Sequence, residues 1–201
     1  MKTGNRSRNT TLLGLLTAIL MVLSMTPLGY LNIGPLAISF NMIPVAVGAA
    51  ALGPVGGAVL GAVFGMTSFL QCLGIGGSSA MGVILFDINP FFAFVQRFVP
   101  RFVTGFVVGL IYMGARKCSK AAVAGSIAGF FAAFLNTALF MGALVLLFGN
   151  TQYLEDVMAG RSALVFICSF VGVNAVFEML ASTLITGVLC STLEKARLMG
   201  R

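Results

Sequence analysis

The sequence predicts an all-α integral membrane protein, a bundle of six transmembrane helices with both termini cytoplasmic. Three observations predict it. Hydrophobic residues make up 59% of the 201 and charged residues only 8%, where soluble chains carry about 25% charge. The apolar residues fall in runs of the length a crossing requires, roughly 20 residues. The basic residues cluster between those runs, as the positive-inside rule demands. One membrane domain over 1–201 accounts for the whole chain, with cytoplasmic tails at 1–9 and 193–201 and the bundle at 10–192.

Taken in order, the runs are 10–27, 36–53, 54–73, 90–115, 121–148 and 164–192. The first follows the basic stretch MKTGNRSRN and imitates a signal peptide. It lacks a small-x-small cleavage site, so it reads as an uncleaved first helix. The stretch 36–73 is either one bent helix or two short ones. Gly53-Pro54, followed by Gly56-Gly57, breaks it, because proline removes a backbone donor and restricts the residue before it.

Charge decides the count. With two crossings in 36–73, Lys2, Arg6, Arg8, Arg116, Lys117, Lys120, Lys195, Arg197 and Arg201 fall on one side, nine of the twelve basic residues. With one crossing the Arg116 cluster would flip to the outer face. Outer connections then lie near 28–35 (Gly29, Tyr30, Asn32, Gly34, Pro35), at 74–89 (Gly- and Ser-rich, with Gly77, Ser78 and Asp87) and at 149–163 (with Glu155, Asp156 and Arg161). These are loops, and outer loops are candidate lids.

The same composition excludes several functions. A net charge of +7 spread over helix junctions is a topology signal and points to no nucleic acid. Four cysteines (Cys72, Cys118, Cys168, Cys190) without a CxxC pair, and no histidine, argue against zinc, haem and a disulfide framework. No G-x-x-x-x-G-K-S/T phosphate loop occurs, so no ATP hydrolysis of that kind is expected. Without histidine no Ser–His or Cys–His nucleophile can form. Neither an enzyme nor a cofactor is expected.

The informative residues are those a bilayer should reject. Arg97 and Arg101 share a face of the run 90–115, Asn174 and Glu178 a face of 164–192, and Asn136 lies within 121–148. Asn41 and Gln71 sit near outer ends. An arginine at a helix centre costs about 2.5–3.5 kcal/mol even on the gentler insertion scale, so such groups persist only if paired or turned toward water or a ligand. Arg101 with Glu178 can form an interhelical pair; Arg97 can snorkel outward or offer a bidentate donor to an anionic solute. Each asparagine serves equally as an interhelical bond or as a donor and acceptor for a solute's hydroxyl or amide. Glycines recur every four residues at Gly53, Gly57, Gly61 and Gly65, with Gly105/Gly109, Gly125/Gly129 and Gly14/Ala18 repeating the spacing. Such stripes let helix backbones approach closely, within the chain or against a partner subunit.

The stretch Ile38–Phe69, ISFNMIPVAVGAAALGPVGGAVLGAVFGMTSF, and the stretch Pro100–Tyr112, PRFVTGFVVGLIY, resemble the S components of energy-coupling factor (ECF) transporters. The resemblance covers roughly 10–192, and its most specific part is Ile-Pro, Ala-x-x-x-Gly-Pro and Gly-x-x-x-Gly in that order within 38–69. It implies a multi-pass subunit of the bacterial cell membrane that captures a vitamin from outside and topples to release it inward. It also implies partners: a transmembrane coupling subunit and two cytoplasmic ATPase subunits. Docking by small residues of the first helix would map onto Gly14 and Ala18; the usual pair is Ala-x-x-x-Ala, and Gly14 stands here at the first place. Many members carry Lys after the Gly-Pro, where this chain has Val55.

Within the family the block most resembles the pantothenate type. Pantothenate offers one carboxylate, an amide and two hydroxyls, matching Arg97, Asn136 and Asn174. Riboflavin would favour aromatic stacking, and folate more than one cation. Outside the family, the competing readings are a proton-coupled carrier titrating Glu178 and a ligand-free scaffold.

Overall fold

The computed structural model describes residues 2–26, 29–33, 36–76, 79–158, 160, 162–196 and 198–199. The expectations placed on Gly34, Pro35, Gly77, Ser78, Arg161, Arg197 and Arg201 fall outside the described residues. The elements are α1 (Lys2–Met25), β1 (Tyr30–Ile33), β2 (Leu36–Ser39), α2 (Met42–Leu70), α3 (Ala80–Ile88), α4 (Pro90–Cys118), α5 (Ala121–Phe148), α6 (Gln152–Met158) and α7 (Ala163–Lys195). Among the described residues, five helical stretches are long and apolar enough to cross a membrane: Ser7–Met25, Met42–Leu73, Pro90–Cys118, Ala121–Phe148 and Asn174–Lys195.

The second of these is not a straight rod. Gly53 stands at φ 78, ψ −173 inside α2, outside helical space and in a region that glycine alone enters readily. Pro54 then begins the second arm, where a missing N–H costs nothing. In a straight helix residues 49 and 57 lie about 12 Å apart, at 1.5 Å per residue. Here a Cβ on Gly57 would come within 2.7 Å of the Ala49 Cβ, and Gly48 similarly abuts Leu60. The two arms, 42–52 and 54–70, are therefore folded back against each other.

The returning arm packs antiparallel on α4. Its glycines meet α4 in register. Gly57 faces the Gly105 carbonyl, Gly61 lies 3.0 Å from the Arg101 carbonyl carbon, and Gly65 lies 2.9 Å from the Phe98 Cα, each measured from an added Cβ. Gly109 closes the series against Pro54. Three of the four stripe glycines thus form an internal seam, while the fourth, Gly53, makes the turn. A second seam joins α5 to α7, where Gly125 meets Cys190 and Gly129 meets the Ser182 carbonyl. With no hydrophobic drive between helices in lipid, this backbone proximity is what holds them together.

At the basic end Arg116, at the close of α4, forms an ion pair with Glu194 near the close of α7. The Gly53–Pro54 turn sits beside Gly109, on the half of α4 that runs to Arg116. The main core joins Leu12, Leu16 and Leu20 of α1 to α2, Val108 and Tyr112 of α4, and the alanines of α5.

The opposite end departs from the expected loops. The strands β1 and β2 form an antiparallel hairpin pairing Tyr30 with Ser39, so the run 36–53 begins as strand, and this is the exception to the all-α expectation. The connection 74–89 contains α3, whose N-cap Ser79 accepts from the Gly82 N–H at 3.2 Å. The connection 149–163 contains α6. Leu85, Ala93, Met141, Leu144, Phe148 and Leu154 bind α3 and α6 to the ends of α4 and α5 in a separate apolar cluster. The tail expected at 1–9 is helical from Lys2.

These contacts set opposite expectations for two glycines. Gly57→Ala should lower the thermal midpoint in detergent, costing about 1–3 kcal/mol for overpacking against backbone. Gly14→Ala, where an added Cβ meets nothing within 4 Å inside α1, should keep it or raise it slightly.

Candidate functional site

Two arginines lie buried inside this apolar bundle, and the structure provides for each. Arg97 donates to Ser68 Oγ at 3.3 Å and to Ser79 Oγ at 3.1 Å, so both α2 and the cap of α3 hold it. Arg101 donates to the Arg97 carbonyl at 2.6 Å. Its guanidinium lies 4.5 Å from the Phe64 ring centroid and 4.8 Å from that of Phe140, between two aromatic faces. Arg97 shares Phe140 at 5.3 Å. Desolvated cation–π contacts contribute about 2 kcal/mol or more, comparable to the insertion cost of the charge. Gln96 fixes the same turn of α5 by donating to the Phe140 carbonyl at 3.5 Å.

Glu178 approaches this centre from α7. Its carboxylate accepts from the Ser39 backbone N–H at 2.6 Å, at the end of β2, and it lies within electrostatic reach of Arg101. The expected coupling of Arg101 and Glu178 is thus electrostatic, with the hairpin as the carboxylate's hydrogen-bond donor. Asn174 lies one turn before Glu178 on α7 and is half-buried, and Asn136 lies one turn before Phe140 on α5. The Asn136 Oδ1 is buried and has no hydrogen-bond partner among the described residues. Arg97 and Arg101 of α4 thus meet Phe140 of α5, one helical turn from Asn136, while Glu178 of α7 acts on Arg101 through its charge, with Asn174 one turn away.

Asn41 and Gln71 have different neighbours. Asn41 accepts from Ser24 Oγ at 3.4 Å and donates from Nδ2 to Ser39 Oγ at 3.4 Å. Gln71 donates from Nε2 to the Ser24 carbonyl at 2.6 Å, in the last turn of α1. Both are buried. They brace α1, the hairpin and the end of α2, and they connect to the arginine centre through Ser39 and Glu178.

Gly14 and Ala18 face outward. An added Cβ at Gly14 meets nothing within 4 Å, while Leu12, Leu16 and Leu20 on the other face are buried. This stripe, unlike the two internal seams, is exposed. Nearby, an apolar cleft of ≈ 340 Å³ opens between α1, the first arm of α2 and α7, lined by Leu16, Ile19, Leu23, Phe40, Ile43 and Ile185 among others. None of the candidate polar residues lines it, so it is separate from the arginine centre.

Sequence reasoning missed Ser68, Ser79, Phe64 and Phe140. Phe140 carried a local signal, lying one helical turn from Asn136 on the same face. The serines carried none, since their partner is distant in sequence.

Compared with known families, residues 8–190 match the model described as the ECF transporter, substrate-specific component. No curated protein matches the chain.

The brace predicts its own failure. Gln71→Leu should leave the buried Ser24 carbonyl without its donor and cost about 1–3 kcal/mol, read as a lower thermal midpoint. Solute affinity should change far less than stability. A large affinity loss in a stably folded Gln71→Leu protein would instead place this amide on the solute.

Proposed function

Given that the chain belongs to the ECF transporter substrate-specific components, we propose that it captures pantothenate from the outer face for an ATP-driven importer. It passes the vitamin inward by reorienting against a transmembrane coupling subunit powered by two cytoplasmic ATPase subunits. The observation that carries this reading is the arginine centre. Two buried guanidinium groups give it an excess of positive charge, which suits an anionic solute such as one with a single carboxylate.

A carboxylate arriving at Arg97 would replace the neutral Ser79 hydroxyl as acceptor, and charge-assisted hydrogen bonds are roughly twice as strong as neutral ones. The planar fork of the guanidinium fits both carboxylate oxygens. Asn136 and Asn174 then serve the solute's amide and hydroxyls. Phe64 and Phe140 keep the arginines oriented and exclude water.

Six crossings accord with this role. The antiparallel arms of α2 support counting 42–70 as two passes, with the Gly53–Pro54 turn at the same end as Arg116. By the positive-inside rule that end is cytoplasmic, which puts the hairpin, α3 and α6 at the outer mouth. The outward stripe of Gly14 and Ala18 is the docking face for the coupling subunit, supported by its exposure.

Titration calorimetry on the purified chain tests the assignment. Pantothenate should bind, and Arg97→Ala should weaken it by roughly 2–5 kcal/mol, as for other buried charged contacts. Retention of riboflavin or folate with no pantothenate binding would overturn the assignment. Gly14→Leu should leave binding intact while reducing uptake in cells that supply the partners; loss of binding as well would make that stripe internal to the fold.

A further inference from the structure

The residue that caps α3 also holds a buried charge. Ser79 Oγ accepts from the Gly82 N–H at 3.2 Å, which caps the first turn of α3, and from Arg97 Nη2 at 3.1 Å. A hydroxyl oxygen has two lone pairs, so these two donors use its whole accepting capacity. The main chain of α3 comes just as close. A Cβ added at Gly82 would lie 2.8 Å from Arg97 Nη2 and 2.9 Å from Cys72 Sγ. Any side chain at 82 would therefore have to push the guanidinium aside.

Apolar packing sets where that hydroxyl stands. Leu85, on the same face of α3 as Gly82, is 0% exposed and belongs to the outer cluster with Phe148 and Leu154. From a second direction Ser68 Oγ of α2 accepts from Arg97 Nη1 at 3.3 Å. Two nitrogens of one planar group are thus directed by hydroxyls on two different elements.

The chemical type of the cap is informative. Serine, asparagine and aspartate cap helices about equally well. Of the three, aspartate alone would also neutralise Arg97, through a charge-assisted bond roughly twice as strong as a neutral one. The chain has a neutral hydroxyl at both points, so Ser68 and Ser79 orient the guanidinium without discharging it.

We propose that Ser79 is a positioning residue: from the cap of α3 it aims Arg97 through a neutral acceptor and leaves the charge of the guanidinium for an anionic solute. The proposal rests on the solute-capture reading and adds the element that aims the arginine. Ser79 acts through Arg97, and it gives up its bond when a carboxylate arrives.

The test uses the full chain in detergent, with Ser79→Asn and Ser79→Asp, each also in an Arg97→Gln background. Calorimetry with pantothenate reads affinity, and thermal unfolding without solute reads the cap and its contact with Arg97. Both variants keep a capping side chain, so a purely structural role predicts wild-type affinity in each. The proposal expects Ser79→Asn to stay within about threefold of wild type and Ser79→Asp to lose about tenfold or more. Equal affinities in the two variants, whether retained or lost, would overturn it. Without solute, Ser79→Asp should unfold a few degrees above Ser79→Asn, and Arg97→Gln should remove most of that difference. Should wild-type protein not bind pantothenate, the vitamin assignment fails, and the unfolding cycle decides the role of Ser79 alone. A difference that disappears with Arg97 supports positioning. No difference, or one that persists without Arg97 and so reports only the helix dipole, overturns it.

Discussion

The structure depends on keeping two guanidinium groups inside a body of apolar helices. The cost of doing so is several kilocalories per charge in a bilayer. It is offset here by neighbours from four directions: serines from α2 and α3, aromatic faces from α2 and α5, a carboxylate from α7, and a main-chain carbonyl from α4 itself. The serines lie within 3.3 Å of a guanidinium nitrogen and the ring centroids within 5.3 Å of a guanidinium carbon, so α2, α3, α4 and α5 pack closely around the pair. The arginines set the required geometry, and the rest of the bundle delivers it.

Glycine is the means of delivery. The seam between the returning arm of α2 and α4 brings Gly61 against the Arg101 carbonyl itself, so the backbone that carries the charge is also the backbone in closest contact. The same proximity puts Phe64, one residue before Gly65, over the Arg101 guanidinium. Packing and electrostatics are thus one feature of α2 and α4. On α1 the same small-residue pattern does something else. Gly14 and Ala18 are exposed, and a Cβ added at Gly14 meets nothing within 4 Å, unlike the glycines of the faces that build the bundle.

Much of this was legible in the sequence. The rare charges in apolar runs marked Arg97, Arg101 and Glu178, because the bilayer makes any charge there conspicuous. The Gly53-Pro54 break was legible for a local reason, as were the four-residue glycine stripes. The outer end was less so. The α3 and α6 helices are short, and α3 lies in a stretch whose Gly and Ser content reads as a loop; its start is marked by Ser79 Oγ accepting from the Gly82 N–H. The hairpin is tied to α7 by a bond between Ser39 and Glu178 across 139 residues, which no local pattern announces. Asn41 and Gln71 were visible as polar residues, but their bonds to Ser24 and Ser39 come from the fold.

The central claim is that the buried arginine pair exists to receive one negative charge from a solute. Mass spectrometry of the small molecules that co-purify with the wild-type chain, and with an Arg97→Gln, Arg101→Gln double variant, addresses it directly. The account predicts a single predominant monoanion bearing hydroxyl or amide groups in the wild-type sample and its loss from the variant. A neutral or cationic solute in the wild type, or the same anion retained at equal occupancy by a folded variant, would contradict it.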